Sequence, residues 1–165
     1  MAQVFSPPLR VCFVCLGNIC RSPQAEGLFR HHVAAAGLSD RFVIDSAGTS
    51  AAHRGERPDR RTLAASASRG VTLTGTSRPF VAEDFDRFDW IIVMDRSNRR
   101  DVLRLARSAA DGARVRLLRE FDPAPDQPDV PDPYDGDAEG FQRVFDICDR
   151  SSAALLTALR DQAAG

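Results

Sequence analysis

A cysteine and an arginine bracket the segment Cys15-Leu16-Gly17-Asn18-Ile19-Cys20-Arg21-Ser22, a pattern suited to capturing a phosphate group and attacking it. Gly17 relaxes the backbone and Asn18 tolerates a left-handed conformation, so successive N–H groups can curl inward around an anion. Arg21 lies six residues after Cys15, which lets the loop wrap once and brings a planar guanidinium fork to the anion from the side. These positive surroundings favour the thiolate of Cys15, the nucleophilic form. Ser22 is placed to donate a hydrogen bond to that sulfur, both when it attacks and when it leaves a thiophosphate intermediate. A phosphate monoester also needs an acid for its leaving oxygen, which these residues do not contain.

Such a loop works only if a strand and a helix hold its two ends. Residues 9–14 are mainly apolar, with β-branched and aromatic content, and Ala25, Leu28, Phe29, His32, Val33 and Ala36 then recur at helical spacing. The loop therefore falls at a strand's C-terminal end, where α/β sheets bind ligands, and the helix N-terminus adds positive potential. Further strands are predicted over 41–45, 89–94 and 114–118, and helices over 22–36, 58–69, 96–109 and 138–161, with the alanine-rich tail after Leu159 frayed. This alternation predicts an α/β fold with a four-stranded parallel sheet and helices on both faces, three layers in all. No repeat or linker interrupts it, so one domain is expected over 1–165, with its core at roughly 9 to 160.

Composition narrows the partners. The formal net charge is -1, so no global field draws the molecule to nucleic acid or anionic membranes, and phosphate recognition must be local. All 22 basic residues are arginine, which by itself points to no function. Met1 to Arg10 lacks the basic flank and apolar core of a signal peptide, and no apolar run reaches the ~20 residues of a membrane span. Cys12, Cys15, Cys20 and Cys148 do not form a secreted disulfide framework. A cytoplasmic location is the expectation.

The segment Val11 to Glu26, V-C-F-V-C-L-G-N-I-C-R-S-P-Q-A-E, resembles the signature of the low-molecular-weight protein tyrosine phosphatases. The likeness continues in family order through Asp45-Ser46-Ala47-Gly48-Thr49-Ser50, Phe88-Asp89-Trp90, Met94-Asp95-Arg96-Ser97-Asn98 and Asp132-Pro133-Tyr134. It implies a cofactor-independent and metal-independent phosphatase that forms a cysteinyl-phosphate on Cys15. Its substrate would be phosphotyrosine in a protein or peptide, supplied by a cognate tyrosine kinase.

The proline-rich stretch Phe121 to Asp137 is the longest irregular segment and cannot continue a helix or a central strand. It offers Asp122, Asp126, Asp129, Asp132, Asp135 and Asp137 as acids, and spacing alone does not choose among them. The resemblance selects Asp132, with Pro131 and Pro133 restricting its backbone. It also implies that Leu16, Gly17, Asn18, Ile19, Cys20 and Ser22 bind the substrate phosphate and that Tyr134 walls the pocket. Three positions depart from the family pattern. Asp135 stands where a second tyrosine is frequent, and Ala52-His53 where the opposite wall is aromatic, which makes His53 a substitute wall. The family histidine that braces the loop asparagine is replaced near Gly75, so Asn18 is expected to rely on Ser46 and Ser22.

Other readings are weaker. Cys12-Phe13-Val14-Cys15 is a C-x-x-C, but Cys12 lies within the strand rather than at a helix start, and no second pair or His-x3-His supports zinc. Cys20 is the better redox partner, and the resemblance implies a reversible disulfide that protects Cys15 from over-oxidation. Arsenate reductases of the same fold need a later pair of shuttle cysteines, whereas only Cys148 remains. Protein arginine phosphatases tend to carry threonine where this chain has Ile19. A non-catalytic phosphotyrosine-binding module would not need Cys15, Arg21 and Asp132 together.

Overall fold

The computed structural model describes residues 6–164; Met1 to Phe5, half of the stretch read as lacking a leader, lie outside them. Four parallel strands, β1 (Leu9–Cys15), β2 (Phe42–Gly48), β3 (Trp90–Val93) and β4 (Val115–Leu117), form one sheet in the order β2-β1-β3-β4. β1 leads through the helix α1 (Arg21–Ala35) to β2 on one side, while β3 and β4 extend the sheet on the other. The C-terminal end of β1 is therefore a topological switch point, where such sheets open a crevice.

Alternation along β1 builds both faces of the core. Val11, Phe13 and Cys15 join a buried cluster with Leu28, Phe29, Leu155 and Leu159 from α1 and α6 (Ala138–Ala164). Cys12 and Val14 face the opposite way, toward Phe80, Phe88, Phe85 of α3 (Asp84–Arg87) and Val102 of α4 (Arg96–Leu103). The edge-on contact of Phe29 with Phe42, at 5.3 Å between ring centroids, ties α1 to the start of β2. Among the described residues no helix is long and apolar enough to cross a membrane.

Four elements depart from the sequence expectation. β2 runs on to Gly48 instead of ending at 45, because Ser46, Ala47 and Gly48 stay in register with Phe13, Val14 and Cys15. The helix expected over 58–69 covers only α2 (Arg60–Ala67), since Asp59 caps it by accepting from Arg61 N at 2.8 Å. The helix expected over 96–109 ends at Leu103, and α5 (Ala109–Ala113) starts afresh where Ser108 Oγ accepts from Asp111 N and Asp111 Oδ2 accepts from Arg107 N. The tail is not frayed: α6 continues to Ala164, Ala163 is fully buried, and its carbonyl accepts from Arg41 Nε at 2.7 Å.

Candidate active site

The backbone leaving β1 turns inward at Asn18, which has φ 54°, and enters α1 at Arg21. That turn brings Asn18 N within 3.3 Å of Cys15 Sγ and sets Ser22 Oγ 2.9 Å from the same sulfur. Asn18 Nδ2 donates to Ser22 Oγ at 2.8 Å, which leaves the serine's own hydrogen free to point at the sulfur. The competing acceptor, Ala47 O, is farther away at 3.4 Å. Both donors thus converge on Cys15 Sγ.

The loop is braced from three other elements. Asn18 Nδ2 also donates to Ser46 Oγ at 2.9 Å, and Ser46 Oγ donates to Glu26 Oε1 at 2.7 Å. Asn18 Oδ1 accepts from Arg78 N, and Ser77 Oγ donates to Gly17 O. Behind this network, beside Thr74, Gly75 and Thr76, lies a polar cavity of about 180 Å³, in the segment where the resemblance expects a histidine. Gly48 lies so close that a Cβ there would sit 2.7 Å from Leu16 O and 3.1 Å from Asn18 Cβ. Gly48→Ala is therefore expected to displace the loop, costing about 1–3 kcal/mol of stability and weakening inhibition by inorganic phosphate; thermal unfolding and inhibition constants check both.

Arg21 is almost wholly buried. Its Nη1 donates to Asp95 Oδ2 at 2.6 Å and to Val130 O at 2.9 Å, and its Nη2 lies 3.5 Å from Asp132 Oδ2. Burial works against the guanidinium's charge, yet Cys15, Asp95 and Asp132 outweigh it and hold the pKa above the ordinary value. Asp95 serves two elements at once, because its Oδ1 caps α4 by accepting from Asn98 N at 2.7 Å. Sequence reasoning named Asp95 only within the family-like segment Met94 to Asn98 and missed its duty toward Arg21.

Cys15, Leu16, Gly17, Ile19, Cys20, Arg21, Ser50, Ala52, His53, Asp132, Tyr134 and Asp135 enclose a cavity of about 280 Å³. Asn18 and Ser22 lie beneath it, bonded to the sulfur rather than lining the space. Asp132 is partly exposed at the mouth, and Tyr134 N donates to its Oδ1 at 3.1 Å. His53 faces Tyr134 across the entrance with ring centroids 6.2 Å apart, and Glu56 holds its Nδ1 at 2.7 Å. Asp135 lies at the same mouth. Sequence reasoning missed Arg61, whose guanidinium lies 5.4 Å from the Tyr134 ring centroid and 4.5 Å from that of Phe141. Asp59 N donates to Ile19 O, so the start of α2 joins the phosphate loop to this wall.

All four cysteines are free. Burial pushes the thiols of Cys12, Cys20 and Cys148 up, the last two to about 12. That burial disfavours the thiolate, the nucleophilic form, at all three. His32 Nε2 lies 2.8 Å from Asp149 on α6, an interhelical contact remote from the pocket residues.

A thiol at the floor of an anion nest, set at the switch point of a parallel sheet, is the architecture of a cysteine-dependent phosphatase. The family model for low molecular weight phosphotyrosine protein phosphatase matches residues 10–164, and the chain belongs to that family. A low molecular weight protein-tyrosine-phosphatase of Streptomyces coelicolor is 46% identical over 158 residues, covering 94% of this chain and 96% of the relative. A protein tyrosine phosphatase of Entamoeba histolytica superposes with TM-score 0.90 at 35% identity, covering 93% of this chain and 98% of that one. A Drosophila arginine phosphatase superposes at 0.85 with 28% identity, covering 92% and 98%.

Proposed function

We propose that this protein hydrolyses phosphotyrosine in proteins through a cysteinyl-phosphate on Cys15, with Arg21 binding the phosphoryl oxygens and Asp132 managing the leaving-group proton. The observation that carries this reading is the convergence of Asn18 N and Ser22 Oγ on Cys15 Sγ beside a buried Arg21 that reaches Asp132. In the first step the thiolate forms an S–P bond as the aryl O–P bond breaks, and the Asp132 carboxyl gives its proton to the departing phenolate oxygen. Backbone N–H groups of residues 16–21 and the Arg21 fork take up the charge on the three equatorial oxygens. In the second step the Asp132 carboxylate accepts a proton from water as its oxygen bonds to phosphorus. The S–P bond breaks, and Ser22 receives the returning thiolate with a hydrogen bond.

Substrate choice follows from the walls. Ile19 is buried and apolar and lines the same cavity as Cys15, and His53 and Tyr134 flank an entrance that suits a planar aryl ring. Asp135 adds negative charge at the mouth, so flanking basic residues in the substrate are favoured over acidic ones. A tyrosine kinase acting on the same proteins supplies the substrate in this reading. Cys20 shares the pocket with Cys15, and a disulfide between them would protect the nucleophile reversibly. The test is turnover of matched peptides carrying phosphotyrosine, phosphoserine or phosphoarginine. Phosphotyrosine is expected to give the highest kcat/KM by at least about tenfold, a difference of about 1.4 kcal/mol in transition-state binding; equal or higher turnover of phosphoarginine would reassign the substrate to the arginine phosphatase class.

A further inference from the structure

The proline-rich segment between β4 and α6 carries the proposed acid, yet it has no strand or helix of its own through Asp137. One wholly buried side chain reaches it at three points, alongside Arg96 of α4, whose N, Nε and Nη2 donate to the Asp129 carboxylate. Arg119 sits in the 3-10 turn Leu118–Glu120 that follows β4, and its side chain is fully inaccessible to solvent. Its guanidinium reaches three separate points of the segment: Nε donates to Asp122 Oδ2 at 3.2 Å, Nη2 to Asp126 Oδ1 at 2.7 Å, and Nη1 to the backbone carbonyl of Asp129 at 3.0 Å. Asp122 is equally buried, and Arg150 of α6 grips the same carboxylate with Nε and Nη2 at 2.9 and 3.2 Å. Arg143 of α6 lies 3.3 Å from the outer oxygen of Asp126.

The residues next in sequence reach the active centre. Val130 N donates to Met94 O at the end of β3, and Val130 O accepts from Arg21 Nη1 at 2.9 Å. Two residues later comes Asp132. A buried guanidinium with three fixed partners costs several kcal/mol of desolvation, which its bonds must offset. Such a buried ion pair is weak evidence for net stability, but its fixed partners set where the segment runs, which points to positioning. Lysine could not take its place, because a single ammonium cannot span three acceptors set in a fork.

We infer that Arg119 is a positioning residue for the proposed proton donor, fixing the segment 122–129 so that Asp132 stands at the pocket mouth in reach of the leaving oxygen. This rests on Asp132 being the acid. Preorganising a donor matters most when the leaving group is poor, and least when the departing phenolate is stable without a proton.

The test is kcat/KM across substituted phenyl phosphates, from dinitrophenyl to unsubstituted phenyl, for the parent, Arg119→Lys, Asp126→Asn and Asp132→Asn. Arg119→Lys is expected to lose about tenfold or more on phenyl phosphate and little on dinitrophenyl phosphate, a fraction of the 10²–10⁴ available from general acid catalysis. Asp126→Asn, at an exposed carboxylate, is expected to steepen the leaving-group dependence in the same direction but less, and it carries the test if Arg119→Lys does not fold. A uniform loss across the series, or no change of slope in the folded variant, overturns the positioning role. If Asp132→Asn also leaves the slope unchanged, it is the assignment of the acid that fails instead.

Discussion

Arg21→Lys is expected to lower kcat on aryl phosphates by about 10³-fold, within the range seen when a charge-stabilising group of the transition state is removed. Arg21 is held by Asp95 and Val130 O through Nη1, which fixes the guanidinium plane, while Nη2 lies toward the pocket mouth 3.5 Å from Asp132 Oδ2. Lysine would keep the positive charge and could still pair with Asp95, so the fold and the partly buried carboxylate stay compensated. What it loses is simultaneous contact with two phosphoryl oxygens, whose charge grows as the aryl oxygen departs. The loss should therefore fall on kcat more than on KM. Steady-state kinetics on a nitrophenyl phosphate check this, and a change below tenfold would mean that Arg21 acts only as a bulk charge.

Asp132→Asn is expected to reduce turnover of phosphotyrosine peptides by about 10²-fold or more, the range of general acid catalysis. The amide keeps the shape of the carboxyl and can still accept the bond from Tyr134 N, so the wall of the pocket and KM should change little. Asparagine has no proton to give to the phenolate oxygen and cannot take one from water. Both chemical steps slow, and the one with the poorer leaving group slows more. Asp135→Asn, at the same mouth but without contact to Arg21, should leave kcat within a few fold. Equal effects at the two positions would count against Asp132 as the acid.

The parts of the site that were legible in the sequence are the ones that are contiguous in it. Cys15, Asn18, Arg21 and Ser22 occupy a single turn between a strand and a helix, so their spacing alone prescribes a nest with a thiol at its floor. Asp132 is different: six aspartates share its segment, and the choice came from resemblance to a family rather than from spacing. The groups that make the loop stiff lay beyond either route, because Ser77 and Arg78 reach it only after a long excursion from β2 back to the sheet. A local pattern also carried no signal for Arg119, whose three partners follow it in an irregular segment.

The fold errors have the same origin. Ser46-Ala47-Gly48 lies beyond the strand expected over 41–45, yet β1 extends β2 through it by pairing, because tertiary partners override weak local preference. The tail after Leu159 lacks large apolar residues, but Ala163 is small enough to pack fully against the core while its carbonyl takes Arg41. Burial of that kind is invisible to composition.

The central claim is that phosphate passes through Cys15. It is tested most directly by quenching the enzyme in acid during turnover of a ³²P-labelled phosphotyrosine peptide, then mapping the labelled residue. The account predicts label bonded to sulfur in the peptide containing Cys15, absent from Cys15→Ser, which should hydrolyse no substrate above background. Label on another residue, or a Cys15→Ser variant that turns over at the parent rate, would contradict it.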